Sequence, residues 1–123
     1  MKIEHHINKK ERFEKTIEKL DREEDYETLI EDYMLAAAHL VNAAMHKLGK
    51  LREDKDIKHN QLYGFLAREN ALNEKSKEVA ELIQGIEQLR PSHVYGKGEN
   101  GDACDKAKEF YNKIKEICEA ILK

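Results

Sequence analysis

Tryptophan is absent from this 123-residue chain, proline occurs once, valine three times and threonine twice. Sheets draw on β-branched and aromatic residues, so this scarcity argues against a sheet-based fold. Leu, Ala, Glu and Lys are abundant instead, and these lose least on entering a helix. The expected fold class is therefore all-α. Cysteine is also scarce. Cys104 and Cys118 lie fourteen residues apart in one helical pattern, about 21 Å along a helix axis, beyond the reach of a disulfide. No Cys-x-x-Cys pair, phosphate-binding Gly-Lys-Ser/Thr loop or His-Glu-x-x-His motif occurs. No apolar run approaches the roughly 20 residues that a membrane span needs, and no signal peptide fits, so a cytoplasmic protein without membrane contact is expected.

An excess of positive charge is missing as well. Twenty-two Lys and Arg face 25 Asp and Glu, for a net charge of −3. This balance argues against a nucleic-acid module held by bulk charge alone, while a local basic pocket stays open. What is present is charge of both signs, 38% of residues, beside 40% hydrophobic residues. That suffices for one core in one domain spanning residues 1–123.

Apolar spacing predicts five helices. The first covers about residues 8–22, with Phe13, Ile17 and Leu20 as a thin stripe that Ile3 and Ile7 can extend. The next stripe starts at Tyr26, about 240° out of phase with Leu20 at 100° per residue. A break near residues 21–25 restores both stripes to one core, and Asp21 with Glu24, or Asp25 alone, can cap the second helix. That helix, about 25–48, carries Tyr26, Leu29, Ile30, Tyr33, Ala37, Leu40, Val41, Ala44 and Leu48 on one face and stops at Gly49. Ala36, Ala38, Ala43 and Met45 lie off that face yet are apolar, so cover from a second subunit is expected. A charged connection, residues 50–58, leads to a short third helix near 60–68. A fourth runs about 73–89 and ends before Pro91. Residues 91–101 read as a loop, after which Asp102 can cap a last helix whose apolar steps of four and three continue to Ile121. Four long helices and one short one then pack as an antiparallel bundle.

Three groups of residues can carry chemistry. Arg90, His93, Tyr95 and Lys97 place a guanidinium, an imidazole, a phenol and an ammonium at a helix end. Arg holds phosphate bidentately, and His moves protons near neutral pH. The plain alternative is a helix-stop loop with Tyr95 packed inward and Lys97 in solvent. His39, Asn42 and His46 fall within about 60° of one another on the second helix, nearly opposite its core stripe. His39 and His46 sit about 10 Å apart along the axis, too far for a shared metal. They read as polar residues on an oligomer interface or as a ligand groove. Arg52 and His59 belong to the charged connection, read as solvated, and His5 and His6 to a terminus expected to fray. No metal or other cofactor is expected.

The order of elements resembles the HEPN domain family, the small all-helical domain of nucleotidyltransferase partners and of several RNA-cutting toxins. The Ala-rich helix "LAAAHLVNAAMHKLG" followed by "KHNQLYGFL", the segment "EQLRPSHVYG", and a polar loop into "DACDKAKEFYNKIKEICEAILK" carry the likeness over roughly residues 25–123. The His93-x-Tyr95 ending matches the family's RNase motif. The family spaces its Arg and His more widely than the two residues between Arg90 and His93, and Pro91 follows Arg90 in this chain. The resemblance implies a homodimer with two Arg/His loops facing a cleft, a nucleotide or RNA ligand, and a nucleotidyltransferase-type antitoxin partner. It further implies metal-independent RNA cleavage, with His93 transferring the proton, Arg90 steadying the phosphate and Tyr95 orienting the substrate. A non-catalytic protein-interaction module is the alternative.

Overall fold

A computed structural model describes residues 1–90 and 99–123, and among them the chain is all-helical, with no strand. The helices are α1 (Ile3–Lys19), α2 (Tyr26–Lys47), α3 (Leu62–Arg68), α4 (Ser76–Gln88) and α5 (Glu99–Leu122). Single 3₁₀ turns, His59–Gln61 and Asn73–Lys75, lead into α3 and α4. None of the described helices is long and apolar enough to cross a membrane.

α2 is the hub of the bundle. It packs against α1 and α5 and touches α4, while α4 packs on α5 and α3. Its apolar face buries Leu29, Ile30, Tyr33, Ala37, Leu40, Val41 and Ala44, as the periodicity predicts. Ala36, Ala38, Ala43 and Met45 are buried too, within the single chain. The apolar surplus on α2 is thus covered from inside, and these residues carry no argument for a second subunit.

The out-of-phase stripes of α1 and α2 are reconciled by the expected break. Asp21 accepts the N–H groups of Glu23 and Glu24 at 3.0 and 2.8 Å, and Asp25 accepts the N–H of Asp21 at 2.8 Å. These carboxylates close the turn ahead of α2 rather than cap the helix itself, since Asp25 at its N-cap makes no side-chain cap hydrogen bond. Arg22 grips Asp105 through two nitrogens, at 3.3 and 2.7 Å, fixing the turn to the first turns of α5. At the far end of α2, Gly49 adopts φ +71°. The Gly49 N–H reaches His46 O and the Lys50 N–H reaches Met45 O, the Schellman pattern that a glycine at this position permits.

The starts of α1 and α5 differ from those the sequence predicts. α1 begins at Ile3, not near residue 8, and His6 is buried rather than frayed. α5 begins at Glu99, so Asp102 lies inside its first turn instead of capping it. An acidic side chain there still suits the positive end of the helix dipole.

Cys104 and Cys118 are free and buried. Burial, with Asp105 nearby, pushes the Cys104 thiol up to about 11. Burial, with Glu119 nearby, pushes Cys118 up to about 12. Only the thiolate reacts, and a rise from 9.0 to about 11 leaves roughly a hundredfold less of it near neutral pH. Neither thiol is expected to react appreciably with a disulfide reagent at pH 8 until denaturant is added. Rapid labelling of either in the native protein contradicts this packing.

Candidate functional site

His39 is half-buried, and the side chain of His46 is 1% exposed. α1 and residues 51–57 cover them. His39 stacks on Phe13 of α1, with ring centroids 5.9 Å apart and planes 21° apart. Its Nδ1 lies 2.9 Å from Nδ1 of His6. His6 Nε2 lies 2.9 Å from Asp56 Oδ1, and His46 Nε2 lies 3.0 Å from that same oxygen. Nδ1 of His46 donates to the carbonyl of Leu51 at 3.0 Å. The amino group of Met1 also contacts Asp56, at 3.2 Å. Three histidines and one carboxylate thus join α1, α2 and the α2–α3 connection.

Burial sets the charge of this group. It pushes His39 down to about 4, helped by the neighbouring His6 and Lys9. Burial likewise lowers His6, against the opposing pull of Asp56. Burial alone would raise Asp56, but hydrogen bonds from His46, His6 and the terminal amine hold it below the usual carboxylate range.

Asn42 holds the connection in place. Its Oδ1 accepts the Ile57 N–H at 2.8 Å, and its Nδ2 donates to Ile57 O at 3.0 Å and Ala38 O at 2.9 Å. Leu51 and Ile57 then pack on the core. The charged run of residues 50–58 is therefore a strap with apolar anchors at 51 and 57, which delivers Asp56 to the histidines. Helical spacing groups His39, Asn42 and His46 on one face but does not bring in His6 or Asp56. Their only trace in the sequence is the pairing of a polar stripe on α2 with isolated apolar residues in a charged connection.

Arg90 stands at the end of α4. Its guanidinium donates to Glu31 of α2 and, at 3.4 Å, to Glu87 one turn earlier. The other oxygen of Glu87 lies 3.2 Å from His59 Nδ1. Arg90 and His59 thus share one carboxylate, beside the point where residues 91–98 begin. Arg52 is not part of this group and pairs with Asp54 at 2.7 Å on the surface. His93, Tyr95 and Lys97 lie outside the described residues. A cleft of about 560 Å³ lined by Tyr63, Arg68, Glu69, Asn70, Lys77 and Glu81 involves neither Arg90 nor the histidine cluster. No family model, no curated protein and no solved structure matches the chain.

Proposed function

We propose that this protein is a HEPN-like helical module that binds a nucleotide or RNA phosphate at the end of α4, with Arg90 as the phosphate-contacting group. The supporting observation is the meeting of Arg90 and His59 on Glu87, which sets two nitrogen-rich side chains at the last described residue before His93, Tyr95 and Lys97 in the sequence. If the module cleaves RNA, the 2′-oxygen bonds to phosphorus as His93 takes its proton, the bond from phosphorus to the 5′-oxygen breaks, that oxygen leaves protonated, and Arg90 stabilises the phosphorane charge in between. A homodimer that faces two such loops across a cleft, and a nucleotidyltransferase-type partner, belong to the same proposal and rest on the resemblance to the family.

The second reading, a non-catalytic interaction module, is favoured by one observation. The Arg90 guanidinium already has carboxylate partners in Glu31 and Glu87. Binding of a labelled structured RNA, followed by anisotropy, separates the two. Losing a charge-assisted hydrogen bond costs about 1.5–3 kcal/mol, roughly ten- to a hundredfold in affinity. Arg90→Ala is expected to show that loss, and Glu31→Gln to strengthen binding by releasing the guanidinium. His93→Ala is expected to remove any cleavage while weakening binding less. Salt is expected to act with a shallow slope, since few phosphates are engaged. Alanine variants at Arg90 and His93 that match the wild type in binding and cleavage leave the interaction module as the answer.

A further inference from the structure

We propose that His6, His46 and Asp56 form a binding site for one divalent first-row transition-metal ion of the Zn²⁺ class, which fastens α1, α2 and the strap together. His6, His46 and Asp56 each offer one ligand atom, two ring nitrogens and a carboxylate oxygen, and these lie within 4.8 Å of one another. Both nitrogens are already about 3 Å from the same oxygen, at 2.9 and 3.0 Å. Ligands of a tetrahedral Zn²⁺ with bonds of about 2.0–2.1 Å sit roughly 3.3 Å from one another. The two nitrogen–oxygen separations therefore need to open by only a few tenths of an ångström to admit the ion.

Proton counting points the same way. The Leu51 carbonyl can only accept, so His46 Nδ1 carries a hydrogen. A neutral His46 then aims the bare Nε2 lone pair at a carboxylate oxygen 3.0 Å away. That contact needs a proton, carried by the ring or by the carboxyl, or a metal ion between the two atoms. A metal ion satisfies both Nε2 lone pairs and the carboxylate at once.

The outer nitrogens are arranged to suit. His46 Nδ1 is fixed by a backbone carbonyl. His6 Nδ1, 2.9 Å from His39 Nδ1, can donate to it and so leave Nε2 free to ligate. Metal-bound imidazoles are oriented by such partners on the far nitrogen. His39, whose own Nδ1 faces His6, is a positioning residue and not a ligand. Two imidazoles with one carboxylate select Zn²⁺ and its neighbours over Ca²⁺ and Mg²⁺, which prefer oxygen. Asp56 is 36% exposed and also meets the Met1 amino group at 3.2 Å, a contact that the metal displaces as it binds.

The test uses the full chain stripped with chelator, then titrated with Co²⁺ and Zn²⁺. About one equivalent of Co²⁺ is expected to give the strong visible absorption of a low-coordinate site, discharged by Zn²⁺. Zn²⁺ in large excess over its Kd is expected to raise the melting temperature by several degrees, while Mg²⁺ leaves it unchanged. Asp56→Asn keeps the size of the side chain at a half-exposed position and is expected to weaken Co²⁺ binding at least tenfold. His6→Gln is expected to do the same. His5→Ala, at an exposed neighbour, is expected to change nothing. A wild-type chain that takes up neither ion at micromolar protein overturns the proposal. So does binding that survives Asp56→Asn and His6→Gln but is lost in His5→Ala. None of these readouts depends on Arg90 or on RNA, so metal binding and phosphate binding stand or fall separately.

Discussion

Ala43→Glu is expected to unfold the protein. Ala43 is fully buried in one chain. Ala36, seven residues earlier, lies on the same stripe of α2, and His39 and His46 flank it at four and three residues. His39 meets His6 and Phe13 of α1, so this is the stripe against which α1 packs. A glutamate there places an unpaired carboxylate in the contact and drives two helices apart. Burying a lone charge costs several kcal/mol, against a total stability of about 5–15 kcal/mol for an ordinary domain. Thermal melts followed by circular dichroism are expected to show loss of cooperative folding, or a fall in melting temperature of more than about 10 °C. Had Ala43 lain on a subunit interface, the same change would have left the monomer intact and weakened only association. Sedimentation with the melt distinguishes the two, and a fully stable, monomeric Ala43→Glu protein refutes the α1–α2 packing.

That stripe also shows what the sequence can and cannot convey. Helical periodicity locates α2 and the break before it because both depend on near neighbours. Leu20 and Tyr26 are out of phase whatever surrounds them, and Asp21 and Asp25 close the turn with local hydrogen bonds. The same periodicity shows α2 to be apolar on too many sides. It cannot show that the missing cover is α1, since a second copy of the chain would leave the same pattern. The start of α1 is obscured for a related reason. Two adjacent histidines near a terminus look solvent-exposed, and only contact with His39 makes one of them, His6, a buried residue.

The histidine cluster is legible in part. Spacing alone puts His39, Asn42 and His46 on one face, and that grouping holds in the fold. The partners cannot be read, because His6 and Asp56 are fifty residues apart and join only after both the α1–α2 hairpin and the strap have formed. A charged run is ordinarily solvated surface. In this chain Leu51 and Ile57 turn it inward and leave Arg52 and Asp54 outside. The Arg90 group follows the same rule: its link to Glu87 is one helical turn and visible in sequence, whereas its links to Glu31 and, through Glu87, to His59 depend on the packing of α4.

Asn42→Asp should be far more damaging than its size suggests, and its damage should depend on pH. The replacement keeps the shape of the side chain and the oxygen that accepts the Ile57 N–H. It turns the amide nitrogen into a second oxygen, which then faces two carbonyls, those of Ala38 and Ile57, where two hydrogen bonds had been. Asn42 is 3% exposed, so water cannot relieve the conflict. Two lost hydrogen bonds and the repulsion that replaces them are expected to cost about 2–4 kcal/mol. The new carboxyl resists ionisation in the fold, so its folded pKa lies above the unfolded value of about 3.9. The variant therefore binds more protons folded than unfolded across that interval. The penalty from ionisation is absent below the unfolded pKa and grows as pH rises towards the folded one. Asn42→Leu, which cannot ionise, is expected to lose similar stability with no such pH dependence, because it leaves both polar groups of Ile57 without their partner. In both variants amide exchange at Ile57 should accelerate well before global unfolding, since the strap is released first. Asp56 is the residue next to Ile57, so a loosened strap should also withdraw the carboxylate from His6 and His46. Stability differences between Asn42→Asp and Asn42→Leu that do not change with pH, or an Ile57 amide as protected as in the wild type, contradict the role of Asn42 as the residue that ties the strap to α2.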